Sequence, residues 1–354
     1  MNTKEFQNPK LIKKIVDRLK RNKRQISLME VCGSHTMAIG KWGIRNLLPD
    51  NIKLISGPGC PVCVTPMSII DASIDLKDVT IAIFGDLMRV PGEKGTLELA
   101  RAKGLDVRIV YSPIDALKLA QEKETVFVGI GFETTIPGIA YTIREAYEKN
   151  IKNYSVLTSL KIVPPALELL ASADDINLNG FILPGHVSVV IGANAYNFLP
   201  EKYNIGGVVT GFEPADILVS IDRLLQQVEK NEPKIENEYS RVVTPDGNKH
   251  AQKIMKEILE IDDGIWRGIG KIPKSELKIR KKYSNYDAAK KYNINIEYKE
   301  DKSGCQCGDV LKGNIIPPQC HLFEKVCTPS NPIGPCMVSS EGSCAAYYKY
   351  ERKQ

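Results

Sequence analysis

The chain has 354 residues, 43% of them hydrophobic and 25% charged, with a formal net charge of +6. That length suits two or three domains with a large buried core, and the composition is that of an ordinary soluble globular protein. No run of eighteen apolar residues exists, which excludes a transmembrane helix, and the basic start is interleaved with Leu11, Ile12, Ile15, Val16 and Leu19 instead of leading into a signal core. A cytoplasmic location follows as the expectation. In that reducing compartment nine cysteines read as metal-binding or catalytic, not as a disulfide framework.

The first predicted element is a helix, with Asn8 as its N-cap and Pro9 at its first position. Its other face carries eight Lys and Arg between Lys10 and Arg24. No aromatic residues or binding motif accompany them, so they read as a solvated face or a surface for an acidic protein partner, not as a nucleic-acid site.

From Gln25 to about Asn231 short β-branched runs alternate with helical stretches. The predicted strands are Ile26 to Val31, Ile52 to Ser56, Val79 to Phe84, Val107 to Tyr111, Thr125 to Ile130, Ser155 to Leu160, Phe181 to Leu183 and Gly207 to Thr210. Helix starts are readable at Thr65 before Pro66 and Ser112 before Pro113, and a long helix ends over Ile221 to Glu229. This is the βαβ pattern of parallel sheets covered by helices. Eight strands divide into two sheets of about four with a boundary near Glu122. The expected organisation is α/β: two Rossmann-like parallel-sheet domains over residues 1–121 and 122–231, then a cysteine-rich [4Fe-4S] cluster domain over 232–354. Gly131-Phe132-Glu133 echoes Gly211-Phe212-Glu213, and Pro58-Gly59-Cys60 echoes Pro184-Gly185-His186, which hints at two related units.

Open parallel sheets bind ligands beyond the carboxyl ends of their strands. There the loops turn chemically unusual: Cys32-Gly33-Ser34-His35-Thr36 after the first strand, and Gly57-Pro58-Gly59-Cys60-Pro61-Val62-Cys63 after the second. Ser34 or Thr36 can cap the following helix, so the cysteines are expected near positive helix ends that favour thiolates. The Cys60 and Cys63 spacing allows a reversible disulfide or, with Cys32 and His35, a mixed sulfur and nitrogen metal site. A single cysteine would read as a small buried hydrophobe, but three thiols and a histidine in adjacent strand-end loops read as a site. Weaker signals fall on either side. Gly129-Ile130-Gly131 lacks the third glycine of a dinucleotide fingerprint, and Gly92-Glu93-Lys94-Gly95-Thr96 lacks phosphate-loop spacing, so neither NAD nor ATP is supported. His186 reads equally as a ligand or a hydrogen-bonded histidine, and Glu133 as an acid or base or a cap.

The last fifty residues hold the other six cysteines as C-x-C-x12-C-x6-C-x8-C-x7-C, from Cys305 to Cys344. Structural zinc favours two tight knuckles. Wide gaps punctuated by Gly and Pro suit a [4Fe-4S] cube around which the chain must wrap. Six thiols exceed the four a cube needs, which leaves two for a disulfide relay.

MEVCGSHT, GPGCPVC, GFETT, PGHVS and the terminal CQCGDVLKG…CHLF…CTP…PIGPCMVSSEGSCAAYYKY, in this order from Glu30 to Tyr350, resemble the HypD family of [NiFe]-hydrogenase maturation factors. The resemblance implies a scaffold for assembling the Fe(CN)2CO unit of the hydrogenase active site, in complex with a HypC-type small chaperone and with a HypE-type protein supplying cyanide. It also implies two related α/β domains and a C-terminal cluster domain. Carried over by motif, Cys32, His35, Cys60 and Cys63 surround the iron, with Cys32 the leading ligand. Cys305, Cys320, Cys327 and Cys344 hold the [4Fe-4S] cluster, and Cys307 and Cys336 form a redox pair. Two other classes compete on residue grounds: a cluster-dependent thiol-disulfide reductase acting on a protein substrate, and a structural zinc protein.

Overall fold

A computed structural model describes residues 3–173, 178–297 and 301–352. The first long helix, Pro9–Leu19, starts where the sequence puts it: the Asn8 side chain accepts the Lys10 N–H at 2.9 Å, and Pro9 occupies a position whose N–H would have no helical partner. It buries Ile15, Val16 and Leu19 against the helix Pro214–Lys230 and turns Lys13 and Lys14 to solvent. Ser112 caps the helix Pro113–Leu119 through a reciprocal box with Asp115.

The strands are β1 (Ile26–Glu30), β2 (Ile52–Ser56), β3 (Thr80–Ile83), β4 (Val107–Ile109), β5 (Thr125–Gly131), β6 (Tyr154–Lys161), β7 (Gly180–Pro184), β8 (Gly206–Thr210), β9 (Ile235–Asn237), β10 (Leu259–Trp266) and β11 (Gly270–Ile279). The first eight are those the sequence predicts. The eleven strands form two sheets, ordered β2-β1-β7-β8-β9, all parallel, and β10-β11-β6-β5-β3-β4, in which β10–β11 and β11–β6 pair antiparallel and the rest parallel.

The strands do not divide at Glu122. β3 and β4 pair with β5, and β7 returns to pair with β1, so each sheet draws on both sides of that boundary. Nor is 232–354 given over to the cysteines alone, because β10 and β11 extend the second sheet, where Lys161 of β6 is buried in an ion pair with Glu276 of β11 at 2.8 Å.

Side-chain alternation explains how the sheets stack. Along β1, Leu28 faces an outer core with the helices Pro9–Leu19 and Pro214–Lys230, while Met29 faces inward. Along β5, Val126 and Val128 face inward and Phe127 faces the opposite outer core. The inward faces of both sheets share one apolar layer, and Cys60, Cys63, Cys307 and Cys336 belong to it. No helix among the described residues is long and apolar enough to cross a membrane.

Candidate functional site

Each sheet has a point where strand order reverses, and ligands favour such points. In the first sheet it lies at β1, flanked by β2 and β7; in the second it lies between β3 and β5. Cys32 follows β1, and Glu133 follows β5.

Cys32 is the N-cap of the helix Gly33–Lys41. Its backbone N–H donates to Glu30 Oε2 at 3.1 Å, and Glu30 Oε1 accepts from Thr36 Oγ1 at 2.5 Å, so a fully buried carboxyl ties the loop to the helix it starts. The second loop is laced to the first: Gly33 N–H donates to Gly59 O at 2.9 Å, and a Cβ on Gly59 would collide with the Cys32 backbone. Cys60 caps the short helix Pro61–Val64, which carries Cys63 and packs on β5. Ser34 and Thr36 lie inside their helix and do not cap it. Ser34 donates instead to Glu341 Oε1 at 2.5 Å, which brings the C-terminal segment over the Cys32 loop.

Cys32 and Cys63 are disfavoured as thiolates. Burial pushes the Cys32 thiol up to about 12; the backbone N–H groups of His35 and Ser34 act the other way, and Glu341 and Glu30 add to the rise. Helix-end stabilisation is present, as expected from sequence, but desolvation outweighs it. Burial likewise raises Cys63, and Cys60 beside it reinforces the rise.

His35 is fully buried, and its ring reaches the backbone after β8. Nε2 lies 3.0 Å from Gly211 O, which fixes the proton on that nitrogen. Nδ1 has no hydrogen-bond partner among the described residues. Burial lowers its pKa to about 4, so the ring is neutral at pH 7. Phe212 lies between two imidazoles, 4.8 Å from His35 and stacked at 4.0 Å on His186, which is exposed. Glu133 is also buried. Oε1 accepts from Val163 N–H at 3.0 Å, Oε2 has no partner among the described residues, and burial raises its pKa to about 7. Tyr196, bonded to Ser188 at 3.1 Å, lies within electrostatic reach of both Glu133 and Cys32.

The terminal cysteines converge on the same layer. Cys305, Cys307, Cys320, Cys327 and Cys344 line a small apolar cavity with Leu322, Phe323 and Met337. Cys305 and Cys307 Sγ are 3.0 Å apart, and Gly334 passes so close that a Cβ there would collide with both sulfurs. Cys336 stands outside that cavity, between Cys63 and Cys307. Side-chain contacts run unbroken from Cys60 to Cys63, Cys336 and Cys307, and from there to Cys305 and Cys344. All nine cysteines are free. Among the described residues no group of three or more His, Cys, Asp or Glu side chains is spaced as a ready-made metal site. Soft donors around a cavity from which glycine excludes a Cβ are nonetheless the set that an iron-sulfur cube requires.

Sequence reasoning missed Glu30, Tyr196, Gly334 and Glu341 as members of the site. Glu30 and Glu341 stand inside the cysteine-bearing motifs, but what they touch is set by contacts that no local spacing reveals.

The chain matches the family model described as HypD, hydrogenase formation hypA family, over residues 7–351. It is 44% identical to hydrogenase maturation factor HypD2 of Bradyrhizobium diazoefficiens, over 92% of this chain and 89% of that protein. It is 41% identical to hydrogenase maturation factor HypD of Cupriavidus necator (98% of this chain, 96% of that protein) and to that of Escherichia coli (99% and 98%).

Proposed function

Because the chain belongs to the HypD family of hydrogenase maturation factors, we propose that it scaffolds assembly of the Fe(CN)2CO unit of a [NiFe]-hydrogenase, with iron as the substrate held at the strand-end thiols. Cys32 takes the iron first, since it stands at the switch point of the first sheet with its sulfur at a helix start; Cys60 and Cys63 adjoin it. A buried thiol that binds a cation must release its proton, so loading strengthens as pH rises. Cys305, Cys320, Cys327 and Cys344 would hold a [4Fe-4S] cluster, which when bound supplies electrons. A HypC-type chaperone receives the product and a HypE-type protein delivers cyanide, in the cytoplasm, where thiols stay reduced.

The observation that carries this reading is the unbroken series of thiols from Cys60 to Cys307. It supports exchange in two steps. Reduced Cys336 attacks a Cys60–Cys63 disulfide at Cys63, forming a Cys63–Cys336 mixed disulfide and freeing Cys60. Cys307 then attacks Cys336, which frees Cys63 and leaves a Cys307–Cys336 disulfide, so two electrons and two protons have moved from one pair to the other. The same series would serve a thiol-disulfide reductase, and one experiment separates the two. Infrared spectra of anaerobic protein, isolated with its small partner, should show bound CO and cyanide in the wild type and lose both in Cys32→Ala. Bands intact in Cys32→Ala, with reduction of a protein disulfide abolished in Cys60→Ala and Cys63→Ala, would transfer the function to the reductase.

A further inference from the structure

The turn of the β10–β11 hairpin reaches both groups of cysteines at once. Arg267, only 5% exposed, donates its backbone N–H to Val64 O at 2.8 Å, at the end of the helix that carries Cys63. Its Nη1 donates to Pro91 O at 3.1 Å, while Nε and Nη2 donate to Asp301 Oδ2 at 3.1 and 2.7 Å. Asp301 Oδ1 accepts from Ser303 N–H at 3.0 Å, and Ser303 Oγ accepts from Cys305 N–H at 3.3 Å. The next residue, Gly268, lies backbone to backbone on Gly308, and a Cβ on either would collide with the other.

A hairpin turn has no need of a buried guanidinium. Taking that cation and its carboxylate out of water is expensive, and an apolar pair of similar volume would often hold the turn as well. The charge therefore calls for another use. The hydrogen-bonded series from Arg267 through Asp301 and Ser303 to the Cys305 N–H sets the guanidinium and its carboxylate beside the segment that carries the Cys305 sulfur.

We propose that the Arg267–Asp301 pair is a positioning and tuning device for the terminal cluster: it clamps the Cys63 helix to the segment entering Cys305, and its balance of charge sets the cluster's reduction potential. This rests on the reading that Cys305 is a cluster ligand. A positive charge beside a cluster stabilises its more negative, reduced state, and a negative charge does the reverse.

The two partners therefore predict shifts of opposite sign. Anaerobic redox titration of the full chain, followed by visible absorbance and electron paramagnetic resonance, should find Arg267→Gln harder to reduce than wild type and Asp301→Asn easier. Each shift should be about tenfold in the reduction equilibrium, or 59 mV for one electron. Arg267→Lys, which keeps the charge, should stay near the wild-type potential. Iron and acid-labile sulfide measured on each sample separate loss of the cluster from a change in its potential. If Arg267→Gln fails to fold, the sign in Asp301→Asn and the match in Arg267→Lys still decide. Shifts in the same direction for Arg267→Gln and Asp301→Asn, or none in a loaded cluster, would reduce the pair to a structural latch and overturn the inference. Wild-type protein that takes up neither iron nor sulfide would overturn the cluster reading itself, and the inference with it.

Discussion

Cys32 and Cys60 each follow a strand and cap a helix, so backbone hydrogen bonds fix both ends of the loops that carry them. Between Cys305 and Gly342 the chain forms one six-residue helix, Cys307–Lys312, two short 3-10 turns and isolated bridges. That stretch is held from outside: Arg45 pairs with Glu351 and lies 4.7 Å over the Tyr347 ring, and the final helix, Ser343–Tyr350, packs on the helix that begins after Cys32. The strand-end thiols thus sit on a frame that the sheet builds without help. The terminal thiols lie on a segment with little secondary structure of its own, where the ligand bonds of the proposed cluster would contribute directly to folding.

The largest expected effect tests whether the terminal segment depends on its ligand. Cys320→Ser and Cys344→Ser should be isolated without cluster iron or acid-labile sulfide, while Cys32→Ala, Cys307→Ser and Cys336→Ser keep the cluster. Elemental analysis and visible absorbance read the result. A full cluster in Cys320→Ser and Cys344→Ser, or none in Cys307→Ser or Cys336→Ser, breaks the division of six thiols into four and two.

Glycines give the next contrast, with one close approach taken from each region. A Cβ on Gly59 would meet the Cys32 backbone, which cannot yield without moving β1 or β2, so Gly59→Ala should lose about 3 kcal/mol of stability in urea titration. A Cβ on Gly334 would collide instead with the Cys305 and Cys307 sulfurs. Gly334→Ala should keep the β-sheet signal in circular dichroism and lose iron. An exchange of these two phenotypes would show that the frame and the ligand-dependent segment have been assigned the wrong way round.

What was legible in the sequence follows the same line. Strands β1 to β8 and the caps at Asn8 and Ser112 were readable because each is decided by neighbours within a few residues. The β10–β11 hairpin was not, although Ile261 with Ile265 and Leu277 with Ile279 fall at strand-like spacing, because charged residues and Pro273 interrupt the apolar alternation. The boundary at Glu122 failed for a deeper reason: β3 and β4 have the same local character as β1 and β2, and only packing across the molecule sends them to a different sheet. The strand-end motifs pointed to thiols that the fold does bring together, yet the expected thiolate character did not survive burial, which no spacing of residues displays.

The smallest expected effect concerns Glu133, whose carboxyl is buried in the frame with no partner for Oε2 among the described residues. Its pKa is about 7 in the folded protein against a usual 4.5. Because the folded state holds the proton more tightly than the unfolded state, the contribution of Glu133 to stability is greatest below pH 4.5, falls as pH rises to 7, and is flat above that. At 1.36 kcal/mol for each pH unit the loss totals about 3 kcal/mol. Glu133→Gln, whose amide oxygen can still accept from Val163 N–H, should remove this slope and be more stable than wild type at pH 8 by up to that amount, while gaining nothing at pH 4. Urea titrations at a series of pH values measure it. Run with and without bound iron, they also sharpen the comparison between the two regions. The Glu133 slope belongs to the strand-end frame and should be unchanged when iron is removed. A slope that disappears with the iron would mean that the two regions fold as one ligand-dependent unit.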